Sequence, residues 1–446
     1  MFETLKNAFK SKDIRMKIFF TLALILVYRI GCYIPLPTLA PNAVENWFSN
    51  TGDFFGVLSV ITGGAMSNAT LFSLGILPFI NSFIIMQLLT LVIRPLERLS
   101  KEGEEGRKKI TQITRIVAII LAIIQAIGIV VMLNSSNVIN PLFDYEKNSE
   151  TAPILTMAIT IVMLVGGSTM VMWLSERITE YGIGNGTSII IFIGILATAG
   201  TSIANAIKVM TDATDNWVYV WNLLGYILVV VAILFFIVFI DSSERRIAVQ
   251  YSKQIKGNKM YGGQTTYIPI RVNGSGVMPI IFASSLLMFP QMIIQLFFST
   301  TPAAAWYAKY MGSDSAVYYV LLALLILGFS YFYAQIQFNP EDVSKNIQQY
   351  GGFIPGIRAG KPTSEFLRKI NNRITLFGAV FLMIIALIPT FIFKALSNQY
   401  TAGAPDLGLA NSFSATGLLI VVSVALELNK QLESQIMMKH YKGFLK

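Results

Sequence analysis

"GGAMSNATLFSLGILPFINSF", Gly63–Phe83, decides how the rest of the chain is read. It stands where a membrane span is due, yet it begins polar and glycine-rich and meets Gly75 and Pro78 just as it turns apolar. From Leu36 to Ile93 there is no Lys or Arg, and the acids are Glu45 and Asp53. Gly63-Gly64 supplies a turn and Ser67 or Asn68 a cap for a short helix. Pro78, which lacks a backbone donor, interrupts the helix just after Gly75. The expected shape is a short helix that folds back into the membrane, breaks, and continues as a span. Hydrocarbon offers backbone groups no hydrogen bonds, so irregular backbone at that depth is tolerated only inside protein or along a water-filled cavity. The segment therefore implies a cavity, and its uncharged side chains imply that it fills the cavity rather than binding an ion there.

The composition agrees. Of 446 residues, 54% are hydrophobic and 13% charged, where soluble domains carry about 25% charged residues. One cysteine, Cys32, allows no internal disulfide, and one histidine, His440, leaves no material for a His/Cys metal site or a Ser-His-Asp triad; no cofactor is expected. The first 17 residues are charged, and no small-residue cleavage site follows the apolar run after them, which reads as a retained first span.

Ten stretches are apolar enough to cross a bilayer, beginning near Ile18, Ile76, Ile113, Ile154, Gly186, Tyr219, Val277, Val317, Ile374 and Phe413. Lys and Arg fix their sidedness, because cytoplasmic loops retain them. The N-terminus, the even-to-odd connections and the C-terminal tail carry 28 of them and the opposite connections 4. Both termini are thus expected in the cytoplasm. The net charge of +10 follows the topology and does not point to nucleic acid. Reporter fusions at Ser135, Ser299 and Ser397 should report the outside, and fusions at Gly103, Gly257 and Gly360 the inside; one fusion on the wrong face breaks the ten-span arrangement.

Ten spans divide into two halves of five, 1–208 and 209–446, and because five is odd the halves run oppositely through the membrane. The second span opens "GILPFI", Gly75–Ile80, and the seventh "GVMPII", Gly276–Ile281. Both read G-x-x-P-x-I, and each is followed by a small polar patch, Asn81-Ser82 or Ser284-Ser285. This is the pattern of an inverted repeat, whose interface is the usual place for a path or site. The expected fold class is an all-α polytopic membrane protein, ten transmembrane helices in two inverted halves with a re-entrant helix at about 63–74; the central pore, and the reading of that helix as a plug, are what a family resemblance implies. Long cytoplasmic loops are expected at about 241–276 and 337–373.

"YRIGCYIPLP", "GGAMSNATLFSLGILPFINSFIIMQLL", "KEGEEGRKKI", "ERITEYGIGNGTSIIIF", "GVMPIIFASSLLMFP" and "FIPGIRAGKPT" together carry a resemblance across essentially the whole chain. It resembles the SecY family, the channel-forming subunits of the bacterial Sec translocon. The resemblance implies an hourglass pore beside a lateral gate. A plug formed by Gly63, Gly64, Ala65, Met66, Ser67, Asn68, Ala69, Thr70 and Leu71 closes the outer funnel. A ring of apolar side chains seals the waist, here Ile76, Ile80, Ile191, Ile281 and Ile420, with Thr187 standing where the family has an aliphatic residue. Branched aliphatics at a constriction exclude ions by dewetting, yet deform around a sliding chain. Asn81, Ser82, Gln87, Gln125, Ser284 and Ser285 fall on helices that line the gate in the family. Arg358, in "FIPGIRAG", matches the loop-tip arginine that meets the SecA motor or the ribosome. In the preceding loop "GNKMY" departs from the family's paired arginines, and no role is carried onto it. Small SecE-like and SecG-like membrane subunits, unfolded precursors, signal peptides and the lipid bilayer complete the implied partners.

Arg29 lies within a span, where an ion is a functional hypothesis by default. Backbone carbonyls, Glu176 and Glu180 are its candidate partners. Two other functions remain open on the residues alone. A secondary transporter also shows inverted repeats and broken helices, but needs ionisable groups at midplane; the repeat motif puts Ile76, Ile80 and Ile281 there. An intramembrane enzyme needs an Asp pair, a His-Glu zinc motif or a Ser-His pair within spans, and Asp241 and Glu427 fall only at span ends.

Overall fold

The computed structural model describes residues 9, 11–39, 59–60, 62–135, 138–139, 152–212, 216–251, 254–256, 259–261, 265–298, 301–312, 315–400 and 415–443. Glu45, Asp53, Lys147, Gly257, Asn258 and Ser299 lie outside these. Among the described residues, ten helices of 16 residues or more match the ten expected spans: α1 (Lys12–Gly31), α2 (Leu77–Val92), α4 (Glu104–Ser135), α5 (Ala152–Tyr181), α6 (Gly186–Asp212), α7 (Asn216–Asp241), α8 (Met278–Phe298), α10 (Ala316–Gln337), α12 (Lys361–Tyr400) and α13 (Ala415–Gly443). By length and composition alone five helices pass as spans, or six if α2 is joined with the short α3 (Arg94–Lys101), from which it is bent by 100°. The bend falls at Ile93, extended at ψ 106°, with Pro95 in the first turn of α3. There Lys101 Nζ lies 2.6 Å from Glu97 Oε1, and that hydrogen bond and charge hold the carboxyl below its usual range. Two further short helices are α9 (Pro302–Met311) and α11 (Pro340–Gln349).

The chain divides into two compact units, residues 1–220, 285–315 and 397–446 in one, and 221–284 and 316–396 in the other. In the first, α2 packs on α4, α4 on α5, α5 on α6, and α6 on α13, with α1 against α5. One core gathers Leu36, Leu74, Ala126, Val130, Leu133 and Leu164; a second, Ile14, Ile183 and Leu432, ties both terminal helices to the α5–α6 turn. Outside these cores the helices present large apolar side chains. On α1, Phe19, Leu22, Leu26 and Ile30 follow one face and each is more than half exposed. On α7, Leu228, Val231, Phe235 and Phe239 do the same. Such stripes would be costly in water and suit hydrocarbon.

The second unit holds what the hydropathy did not foresee. The loops expected at 241–276 and 337–373 are folded. β1 (Glu244–Tyr251) pairs antiparallel with β4 (Thr265–Arg271) and with β5 (Gly352–Phe353), in the order β4-β1-β5, while β2 (Gln254–Lys256) and β3 (Lys259–Tyr261) form a separate hairpin pair. Ile247 and Val249 alternate on β1, and Ile268 and Ile270 on β4. That period-2 pattern buries Ile247, Val249 and Ile270 with Ile347, Ile354 and Leu367. Asn339 caps α11, its Oδ1 accepting from the amide of Glu341 at 3.1 Å. Within the spans of this unit Phe282 packs on Phe329 and Tyr333, with ring centroids 6.0 and 5.1 Å apart.

The repeated motif takes one conformation twice. Gly75 and Gly276 stand at φ +55° and +64°, a region side chains rarely adopt. Each is followed by a helix with Pro in its first turn, where no amide is needed. The hydrogen bonds match as well: Phe79 and Ile80 donate to Ile76 O at 3.1 Å, and Ile280 and Ile281 donate to Val277 O at 3.1 and 3.2 Å.

Candidate functional site

The polar stretch before α2 is a compact run of turns over 62–76 rather than a regular helix. Gly63 and Gly64 (φ +69° and +82°) reverse the chain. Ala69 (φ 50°) is the non-glycine residue with positive φ among the described residues. The hydroxyls in this stretch serve its own backbone. Thr70 Oγ1 donates to Ala65 O at 2.9 Å, Ser73 Oγ to Ala65 O at 3.1 Å, Ser67 Oγ to Gly64 O at 3.2 Å, and Ser67 and Ser59 share a hydrogen bond of 2.7 Å. A segment that satisfies its own carbonyls needs no water, which is what membrane depth demands. Its apolar side chains are inside: Ala65, Met66, Ala69, Phe72 and Leu74 are all buried.

Three elements hold this segment. The chain leaving α1 pairs with it as a strand would: Leu36 N donates to Ala69 O at 2.9 Å, Leu71 N to Ile34 O at 3.0 Å, and Pro35 faces Thr70. Tyr28 stacks on Phe72 with ring centroids 6.0 Å apart, and its hydroxyl donates to Thr62 O at 3.2 Å. From α5, Ser168 Oγ donates to Gly75 O at 3.1 Å. Gly167 lies so close that a Cβ there would fall 1.9 Å from Leu71 O, whereas one at Gly166 would meet nothing within 4 Å. Overpacking of this kind costs about 1–3 kcal/mol. Gly167→Ala is therefore expected to lower the thermal unfolding midpoint of the purified protein by several degrees and Gly166→Ala to leave it in place. Equal midpoints for the two would contradict the contact.

Ile76 and Ile80 stand one helical turn apart at the start of α2, both buried. Ile191 on α6 and Ile420 on α13 are buried on helices that pack together. Thr187, one turn before Ile191, is half-buried, and its hydroxyl is 2.9 Å from that of Ser175 on α5. Ile281 belongs to the second unit, where it is half-buried and its carbonyl accepts from Ser284 Oγ at 3.0 Å.

Ser82 is fully buried and donates to Thr114 O at 2.6 Å, binding α2 to α4. Gln125 is buried on α4, and its Nε2 has no hydrogen-bond partner among the described residues. Asn81 and Gln87 are half-buried on α2, and Ser285 is buried on α8.

Arg358 projects from the turn between β5 and α12. Ile354 is buried in the sheet core and Ile357 packs against it. The backbone of the turn is fixed by Thr363 Oγ1 donating to Arg358 O at 2.8 Å and Ser344 Oγ donating to Gly360 O at 2.7 Å. The side chain of Arg358 is exposed and unpaired among the described residues. Arg29 takes the carbonyl alternative: Glu176 pairs with Arg115 at 2.7 Å and Glu180 with Arg177 at 2.7 Å, so neither acid is its partner.

The SecY family model matches residues 70–429. The chain belongs to the SecY family. A relative, the protein translocase subunit SecY of Streptomyces scabiei, is 42% identical over 452 residues, covering 100% of both chains. The fold is shared with a solved SecY protein, 19% identical with a TM-score of 0.64 over 94% of this chain and 91% of that one; its plug domain is described as stabilising the closed state and maintaining a membrane seal. It is shared too with Sec61 of the canine ribosome–channel complex, 17% identical with a TM-score of 0.60 over 94% and 91%. Membership in this family makes the chain a multi-pass membrane protein. The SecY-family motifs pointed to the segment 63–71 and to Arg358. They include Tyr28, in "YRIGCYIPLP", without giving it a role, and did not point to Gly167 or Ser168; the contacts of all three join elements far apart in sequence.

Proposed function

We propose that the chain is the pore-forming subunit of a protein-conducting channel in a bacterial cytoplasmic membrane, with both termini in the cytoplasm. It passes unfolded precursors outward and releases membrane segments laterally. The observation that carries this is the segment before α2: polar in sequence, internally hydrogen-bonded, stapled to α1 and α5, and directly followed by Ile76 and Ile80. Residues 63–71 act as the stopper, and Ile76, Ile80, Ile191, Ile281 and Ile420 form the seal. The hydroxyl of Thr187 is engaged by Ser175, so it contributes little to that seal. Two inverted halves, 1–208 and 209–446, frame the path, supported by the matched conformations at Gly75 and Gly276. Asn81, Ser82, Gln87, Gln125, Ser284 and Ser285 belong to the gate helices. The Ser82–Thr114 bond makes α2 and α4 move together, and the unpaired amide of Gln125 is a weak point that a signal peptide exploits.

The chain does no chemistry of its own. A motor of the SecA kind or a ribosome drives it through Arg358, and small SecE-like and SecG-like subunits accompany it. Reconstitution with a secretory precursor, SecA and ATP is the test. Precursor reaching the vesicle lumen supports the channel. Solute flux coupled to an ion, without precursor entry, would support the transporter instead.

A further inference from the structure

We propose that the adjacent residues Tyr28 and Arg29 form a latch that positions the stopper in the closed channel. This rests on the stopper reading of residues 63–71. Arg29 is a cation within a span, and among the described residues its guanidinium has no carboxylate partner. Nη1 donates to Gly63 O at 3.1 Å, Nη2 donates to Tyr33 Oη at 3.2 Å, and the group lies 5.4 Å from the centre of the Tyr33 ring. Tyr28, the residue before it, donates to the carbonyl one position earlier, Thr62 O. Two consecutive side chains of α1 thus grip two consecutive carbonyls at the point where the stopper begins.

The sequence on the other side of the contact is built for it. Gly63 is at φ +69°, and a Cβ there would fall 3.0 Å from Arg29 Nη1 and 2.9 Å from Gly194 Cα. A side chain at 63 would be strained in that conformation and would crowd Gly194, so glycine suits the turn that aims this carbonyl at the guanidinium. The far end of the stopper is held by the backbone pairing of 34–36 with 69–71, which is independent of side-chain identity. The near end is held by side chains, and Arg29 supplies the charge-assisted bond, the stronger kind. Both ends therefore hang from one continuous element, α1 and its extension. A cation without a nearby anion depends on the Gly63 dipole. Withdrawal of the stopper breaks that bond, so Arg29 favours the closed state.

The test is resting ion conductance in planar bilayers of the full-length channel with its co-purifying subunits. Arg29→Met, Arg29→Lys and Tyr28→Phe would be compared with the parent and with a deletion of residues 64–70. Arg29→Met is expected to raise resting conductance about tenfold, the loss of one charge-assisted bond. Arg29→Lys keeps a donor and should recover most of the tightness. Tyr28→Phe keeps the ring on Phe72, loses only the hydroxyl, and should leak about threefold more than the parent; it decides the matter if Arg29→Met does not accumulate. A leaky deletion beside ion-tight Arg29→Met and Tyr28→Phe overturns the latch and leaves the stopper standing. A lysine variant as leaky as the methionine variant makes Arg29 a packing residue and also overturns it. An ion-tight deletion removes the stopper reading, and the latch with it.

Discussion

Channels carrying Ile420→Asn or Ile281→Asn are expected to conduct ions at rest and to export precursors with defective signal sequences. Each substitution exchanges a branched aliphatic for an amide at the proposed waist. Burial of an isoleucine side chain stabilises a dry constriction by about 1.5–3 kcal/mol. An amide kept from water costs about 1–3 kcal/mol more. A combined shift of about 3 kcal/mol moves the balance between dry and wet states by roughly a hundredfold. The same shift lowers what a signal peptide must supply to open the gate, so specificity should fall as leak rises. Single-channel recording in planar bilayers, paired with export of a signal-defective reporter, measures both. Variants that stay ion-tight and selective would make Ile281 and Ile420 ordinary packing residues and place the path elsewhere.

Arg358→Glu should reduce SecA-driven export by tenfold or more, with the protein still present in the membrane at the parental level. The turn that carries Arg358 is held by packing and hydrogen bonds. Ile354 and Ile357 anchor it in the sheet core, and its carbonyl is held by Thr363. An exposed guanidinium on a fixed tip offers a two-pronged contact to a carboxylate or phosphate, which an ammonium does not match. Hydrogen bonds to charged groups are worth about 1.5–3 kcal/mol, and reversal of the charge replaces attraction with repulsion. Arg358→Lys should therefore lie between the parent and the glutamate variant. Precursor protection from protease in inverted vesicles is the readout. Parental export by the glutamate variant would remove Arg358 from the functional residues.

The spans were legible because hydropathy reports directly on the membrane. Helix lengths were not. α4 starts at Glu104 and α12 at Lys361, well before the apolar runs expected from Ile113 and Ile374, because a helix leaving the membrane changes its side chains and keeps its backbone pattern. The sheet of the second unit was legible in principle. Ile247 with Val249, and Ile268 with Ile270, alternate as strands do, but their basic neighbours Arg245, Arg246 and Arg271 marked the segment as a loop. At the site, the glycine turn and Pro78 were readable from local chemistry. The turned form of the segment at 62–76 was not, since its hydroxyls bond backward within the segment instead of capping a helix. Nor was the partner of Arg29, because sequence shows which acids exist and not that Arg115 and Arg177 take them.

α12 runs for 40 residues without interruption, from just beyond the Arg358 turn to Tyr400. At 1.5 Å per residue it is about 60 Å long. Its first turns are embedded in the sheet core through Phe366, Leu367 and Ile370, and between Pro362 and Phe377 it contains neither Gly nor Pro. Mechanically this is a clamped rod. Load applied at the Arg358 tip meets no Gly or Pro before Gly378, so the first turns move as one piece, and bending is left to Gly378 and Pro389 further along the helix. For the partner proposed to dock at Arg358, the stiffness of that first stretch, not affinity alone, then sets how much of its stroke reaches the transmembrane part of α12.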